Sequence, residues 1–115
     1  MLNELIGKKI EFSISDPFEL GGETASGLVE AVEEANGGSI LIKMNKPLFH
    51  ENVSYEYFVA SPRYKNGNMG LLLKNETVDC GLTNTTPERA RSASPCDVSW
   101  WRGGLGMIGG VKLSA

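Results

Sequence analysis

The sequence is poor in the side chains that most often carry catalysis or metal binding. It holds one histidine, His50, and two cysteines, Cys80 and Cys96. A serine or cysteine nucleophile normally depends on a histidine base, so any such mechanism would have to run through His50. Zinc sites usually contain two cysteines or two histidines only a few residues apart, and this sequence has no such closely spaced pair. We therefore expect no catalytic residue, no metal and no cofactor, and we interpret His50 as a loop residue.

Long apolar runs are also absent from the sequence. A transmembrane helix needs about 20 consecutive apolar residues, and residues 1–10 lack the basic start and apolar core of a secretory signal. These absences predict a cytoplasmic protein without membrane contact. In a reducing compartment Cys80 and Cys96 are expected to be free thiols, with a disulfide between them as the alternative.

A clustered basic surface is missing as well. Residues 1–50 hold four lysines and eight acidic residues, a charge of −4, whereas residues 51–115 hold seven basic and six acidic residues, a charge of +1. Binding to phosphates needs clustered basic side chains, so a nucleic-acid partner is disfavoured. The slightly basic second half leaves one alternative, a weak nucleic-acid binder whose affinity falls steeply with salt.

What the sequence does have is alternation of polar and apolar residues, the pattern of strands with one buried face. In residues 9–15 this pattern buries Ile10, Phe12 and Ile14, and residues 40–44 repeat it before Pro47 ends the strand. Residues 53–60 place four side chains on one face, namely Val53, Tyr55, Tyr57 and Val59. Two more hairpins are predicted from residues 69–74 with 77–82 and from residues 98–101 with 107–113.

Residues 27–35 fit either a strand or one face of a short helix ending at Gly37. We favour a strand, because Asn36-Gly37 suits the tight turn of a hairpin and a second strand follows it. Residues 83–97 lack periodicity and predict an exposed loop. Together these elements predict one all-β domain over residues 1–115, a small SH3-like or partly open antiparallel β-barrel with long loops.

Five segments resemble small uncharacterised bacterial proteins with an SH3-like barrel. They lie within about the first seventy residues, at 6–9, 15–18, 27–32, 40–43 and 60–64. The chain is also similar in style to proteins encoded on integron-type mobile gene cassettes. The resemblance implies a barrel fold and no particular activity.

The segment Gly104-Leu-Gly106-Met-Ile-Gly109 matches the spacing of a dinucleotide-binding loop. That loop works only when a helix follows it, and only residues 110–115 remain after it here. We therefore interpret these glycines as positions where a strand bends or another backbone comes close.

The side chains best suited to recognition are aromatic and cationic. Trp100 and Trp101 are adjacent, so in a strand they point to opposite faces and one is expected to be exposed. With Arg102, and with the pair Arg63 and Tyr64, they form the candidate binding residues, because tryptophan and arginine are enriched where proteins meet.

The leading hypothesis is a non-enzymatic module that binds a protein partner or a second copy of itself. The alternative is a small enzyme or ligand-binding protein whose pocket opens at the end of the barrel. That pocket would lie under the loop of residues 83–97 and bring His50 or Cys80 close to an acidic residue.

Overall fold

The computed structural model describes residues 2–13, 24–50, 52–96 and 106–114. Six antiparallel strands form a closed barrel in which neighbours in sequence are neighbours in space and the last strand pairs with the first. The strands are β1 (Lys9–Phe12), β2 (Ala25–Glu33), β3 (Ser39–His50), β4 (Val53–Pro62), β5 (Val78–Thr85) and β6 (Gly106–Leu113). The predicted all-β barrel is confirmed. No helix in the described residues is long and apolar enough to cross a membrane.

The interior is filled by the inward side chains of the strands. Ile10 and Phe12 of β1 are both buried, as their alternation predicts, and Ile14 lies outside the described residues. The rings of Phe12 and Phe58 meet edge to face, with centroids 6.2 Å apart. The rest of the interior is mainly aliphatic and includes Val29, Ile40, Ile42, Leu82 and Val111, together with the sulfur-containing side chains of Met44, Met69 and Cys80.

Two short 3₁₀ helices, Leu2–Leu5 and Met69–Lys74, pack against this interior through Leu2, Leu5, Met69 and Leu72. The prediction that residues 69–74 form a strand is therefore wrong. The side chain of Asn68 accepts a hydrogen bond from the backbone N–H of Gly70 at 2.7 Å, and Asn75 ends the helix in the left-handed conformation. These two caps favour a helical turn over a strand.

Residues 27–33 belong to β2, so the structure confirms the strand and not the helix. The hairpin is also confirmed, but its turn is longer than the two-residue turn expected at Asn36-Gly37. The last cross-strand pair is Glu33 with Ser39, and a single 3₁₀ turn, Ala35–Gly37, lies between them. Gly37 and Gly38 both have positive φ, which only glycine adopts freely.

The sequence predicts that Pro47 ends β3. This prediction is wrong, because the strand continues to His50. Its pairing with β4 shifts between Lys43, opposite Tyr57, and Leu48, opposite Tyr55. Proline cannot donate a ladder hydrogen bond, and this irregularity is the kind of place where a strand tolerates it. His50, interpreted from the sequence as a loop residue, is instead the last residue of β3, and the hairpin is closed by a turn in which Asn52 has a φ of 65°.

The predicted buried face of β4 is divided between two apolar clusters. Tyr57 and Val59 lie in a second cluster with Leu41 and Cys96, whereas Tyr55 packs against the barrel interior, where its ring stacks on Phe58. The pairing register shifts between residues 55 and 57. Side chains two residues apart therefore do not stay on the same face of the sheet across this point. The side chain of Val53 lies outside the described residues.

The expected exposed loop at residues 83–97 is more ordered than its composition suggests. Residues 83–85 continue β5, and one turn of helix, α1 (Pro87–Ala90), follows with Thr86 as its N-cap. Ala90 and Cys96 pack on the outer face of β3 and β4 and bury Leu41, Tyr57 and Val59. This segment folds over the barrel because the outer face beneath it is apolar.

Strand β6 contains the last two glycines of the apparent dinucleotide-binding spacing, which excludes the strand–turn–helix context that such a loop needs. Gly109 lies against the backbone carbonyl of Ser13, so close that an added Cβ would collide with it. The neighbouring Ser13 N–H donates to the Gly110 carbonyl at 3.2 Å. Gly109 therefore allows the close backbone approach expected from the sequence.

We predict that Gly109→Ala lowers the free energy of unfolding by about 2 kcal/mol, because the new methyl group must displace the Ser13 backbone. The matched control is Gly81→Ala on β5, where an added Cβ meets nothing within 4 Å. Gly81→Ala should be neutral or slightly stabilising. Urea unfolding measures both, and equal losses in the two variants would contradict the close approach.

Candidate functional site

Arg63 and Tyr64 lie in the connection that leaves β4 after Pro62. Both side chains are exposed, and the Arg63 guanidinium lies 5.3 Å from the centroid of the Tyr64 ring, a cation–π contact. The backbone is fixed at two points, since the Arg63 N–H donates to the Asp79 carbonyl and the Gly67 N–H to the Tyr64 carbonyl, both at 2.9 Å. The pair is thus presented outward from a hydrogen-bonded turn.

Trp100, Trp101 and Arg102 lie outside the described residues. The nearest described residues on either side are Cys96, against the outer face of β3 and β4, and Gly106, opposite Thr83 on β5. The five residues predicted as a binding site are therefore not shown as one surface, and Arg63 with Tyr64 is the part that the structure describes.

The sequence did not indicate the most exposed large apolar side chain of the described residues, Phe49, which is 71% exposed. Phe49 lies on a two-stranded extension of β3 and β4, in which residues 48–50 pair with residues 53–55; we call this extension the arm. Leu48 and Tyr55 of the arm pack against the barrel interior, and the opposite pair, Phe49 and Ser54, is exposed. The arm is thus anchored on one face and apolar on the other.

A cleft of about 510 Å³ lies between the beginning of β2 and the irregular part of β3. Pairing between the two strands stops at Gly27 and Met44, and the strands separate beyond that point. The side-chain amide of Asn45 donates to the Ser26 hydroxyl at 3.0 Å, which bridges the two strands just after the ladder ends.

The lining of this cleft is apolar on the side of the barrel core and polar at its mouth. Ala25 and Met44 belong to the barrel core, and Pro47 and Leu48 complete the apolar wall. Lys46 is exposed and is the only charged residue among the described residues that line the cleft. The cleft thus combines an apolar floor with four polar residues, Thr24, Ser26, Asn45 and Lys46, which could orient a bound molecule.

Neither thiol is arranged as a nucleophile. Both cysteines are free and buried, Cys80 in the barrel interior and Cys96 under the segment that follows β5. Burial, reinforced by the charge of Asp79, raises the pKa of Cys80 to about 12. Burial and the charge of Glu33 raise the pKa of Cys96 to about 12, although a hydrogen bond with the Leu41 backbone acts to lower it. Both are neutral at pH 7, whereas catalytic cysteines are thiolates.

His50 pairs with Val53 at the tip of the arm, and its side chain lies outside the described residues. Within residues 2–13, 24–50, 52–96 and 106–114 there is no group of three histidine, cysteine or acidic side chains that could hold a metal ion. The described part of the chain therefore offers two features for recognition, the arm with its neighbouring cleft and the turn that carries Arg63.

No protein-family model, no curated protein and no solved structure matches this chain. Its function is therefore inferred from the arm, the cleft and the exposed turn. Sequence reasoning missed the first two because it ended β3 at Pro47. A signal was nevertheless present, since Asn45-Lys46-Pro47 joins the alternating strand to Leu48-Phe49 without a glycine that would mark a tight turn.

The raised pKa of Cys80 predicts a loss of stability at high pH. A thiol of the unfolded chain titrates near 9.0, below the folded value of about 12, so the folded state holds the proton more tightly. The stabilisation is complete below pH 9 and is lost as pH rises toward 12, by at most about 1.4 kcal/mol per pH unit. Cys80→Ala should lack this contribution, so its free energy of unfolding should fall less between pH 9 and 11 than that of the wild type.

Chemical unfolding at several pH values measures this difference, and the comparison cancels the contributions of the groups that both proteins share, Cys96 among them. Parallel curves for wild type and Cys80→Ala would show that Cys80 is not desolvated in the folded state.

Proposed function

We propose that this protein is a non-enzymatic binding module that presents aromatic and cationic side chains to a protein partner or to a second copy of itself. The observation that carries the proposal is the arm, where Phe49 is held in solvent on a paired strand. Burial of such a side chain contributes about 1.5–3 kcal/mol, so its exposure is costly unless a partner covers it. Isolated exposed apolar residues are common, but this one lies on an arm whose opposite face is anchored to the barrel interior.

The anchoring of the arm supports the same proposal. Leu48 and Tyr55 hold the arm against the barrel interior, so Phe49 is positioned before any partner arrives. A preorganised aromatic side chain loses little conformational entropy on binding. Arg63 and Tyr64, and by the sequence prediction Trp100, Trp101 and Arg102, supply further side chains of the types that dominate protein interfaces.

The proposal includes the setting implied by the sequence resemblance, namely an SH3-like barrel in the bacterial cytoplasm, encoded on a mobile gene cassette. The small closed barrel with six antiparallel strands is compatible with an SH3-like fold. Barrels of this size use their rims and loops for recognition because side chains fill their interior.

Self-association is the simplest form of the proposal, since a two-fold interface needs only one self-complementary patch. We expect light scattering coupled to size exclusion to show a dimer that forms with increasing concentration. Phe49→Ser should raise the dimer dissociation constant at least tenfold, because each interface loses two buried rings.

Ile6→Ser is the matched control, because Ile6 is a second exposed apolar side chain, 50% exposed, in the turn before β1. It should leave the dissociation constant unchanged. A wild-type protein that stays monomeric at every concentration would remove the self-association form of the proposal.

The sequence prediction for the two tryptophans has its own test. Trp100→Phe and Trp101→Phe each leave one indole, whose quenching by acrylamide reports its exposure. We expect one variant to be quenched readily and the other weakly, because neighbouring residues of a strand face opposite ways. Measured at a concentration where the protein is monomeric, weak quenching of both would exclude the tryptophans as contact residues.

A second candidate function is binding of a small ligand, and the cleft between β2 and β3 favours it. Its volume of about 510 Å³ lies within the range of small-molecule sites, roughly 300–1,000 Å³. The sequence prediction placed a pocket under residues 83–97 and next to His50 or Cys80, whereas none of these residues is among the described lining residues of the cleft.

A further inference from the structure

We propose that the cleft between β2 and β3 binds a small amphipathic carboxylate, with the apolar chain of the ligand on Ala25 and Met44 and its carboxylate at Lys46. The inference rests on the second candidate function, ligand binding, and names the chemical class of the ligand. Three features of the cleft lead to it: its floor, its open geometry and its charge.

The floor of the cleft is the end of the barrel core. Ala25 and Met44 are 8% and 7% exposed, and both belong to the main core cluster. Leu48 packs against the same cluster from the irregular part of β3. An aliphatic chain placed here would extend the existing core and leave water, at about 0.8 kcal/mol for each buried methylene group.

The local sequence keeps the cleft open. Beyond Met44, strand β3 carries Pro47, which has no backbone N–H with which to continue the ladder to β2. The side-chain hydrogen bond from Asn45 to Ser26 spans the two strands where backbone pairing ends. The separation of β2 and β3 is thus part of the fold, so a ligand need not force the strands apart.

The charge at the rim selects an anion. Lys46 makes no ion pair with another residue that the structure describes, and none of the described lining residues is acidic. A flexible lysine can follow a single carboxylate at the mouth of the cleft. With only one cation among the described lining residues, a monocarboxylate fits this lining better than a phosphate or a diacid, which would keep uncompensated charge.

The probes are octanoate and decanoate at concentrations below micelle formation, with decanol and decyltrimethylammonium as the neutral and cationic counterparts. Binding is followed by amide chemical shifts of the full-length protein labelled with nitrogen-15. We expect saturable shifts confined to residues 24–26 and 44–48, excluding Pro47, which has no amide proton. Decanoate should bind at least tenfold more tightly than octanoate, since each buried methylene contributes about fourfold.

The charge is tested with Lys46→Gln and with Lys74→Gln, a matched exposed lysine at the end of the 3₁₀ helix Met69–Lys74. Because an exposed ion pair contributes little, decanoate should bind up to about fivefold more tightly than decanol. Lys46→Gln should abolish that preference and Lys74→Gln should retain it.

The outcomes separate the ligand class from the ligand-binding function. If decanol and decyltrimethylammonium shift the same cleft residues as strongly as decanoate, the cleft binds apolar molecules and the carboxylate assignment is wrong. If no probe shifts residues 24–26 and 44–48 at millimolar concentration, or if the shifts spread over the whole surface, both the carboxylate assignment and the ligand-binding function fail.

Discussion

Pairing of β1 with β6 is the contact on which the rest of the barrel depends. Strand β1 has only four residues, yet it closes the sheet between β2 and β6. Two backbone hydrogen bonds extend the seam beyond the strand, from Ser13 to Gly110 and from Ser114 to Lys9. Across it, the Lys112 ammonium lies 3.2 Å from the Glu11 carboxylate. Without this seam, β1 and β6 would each present an unpaired edge, which promotes aggregation.

Apolar side chains are buried on both faces of part of the sheet, and closure of the barrel accounts for the inner face. Inward residues such as Phe12 and Phe58 fill the interior, and a barrel of this size has little room for anything else. The outer faces of β3 and β4 also carry apolar residues, Leu41, Tyr57 and Val59, which need a separate cover. The chain after β5 supplies it through Ala90 and Cys96. The two cysteines therefore serve two different cores.

Both proposals concern the region where β3 departs from regular pairing. Beyond Met44 the strand separates from β2, and between Lys43 and Leu48 its register against β4 shifts before it continues as the arm. One consequence is an exposed aromatic side chain, Phe49, and the other is a cleft that opens onto the core. The proposed protein-binding surface and the proposed ligand site thus both arise from the irregular pairing of β3. Each needs backbone and apolar atoms that regular strand pairing would cover. Lys46 and Pro47 also protect this edge from indiscriminate strand pairing, which favours side-chain recognition over strand addition.

The sequence by itself determined the fold class, because alternation of apolar residues depends only on which side chains leave water. It was sufficient for the burial of Ile10 and Phe12, for β2 as a strand, and for the close approach at Gly109. It failed at residues 69–74, where the capping asparagines outweighed strand propensity, and at Pro47, where the bulge accommodated proline within a strand. Only the tertiary structure decided that Tyr55 and Tyr57 pack in different apolar clusters, that Cys96 is buried, and that Phe49 is exposed. These outcomes depend on register and closure, which arise from contacts between residues far apart in the chain and leave no local pattern in it.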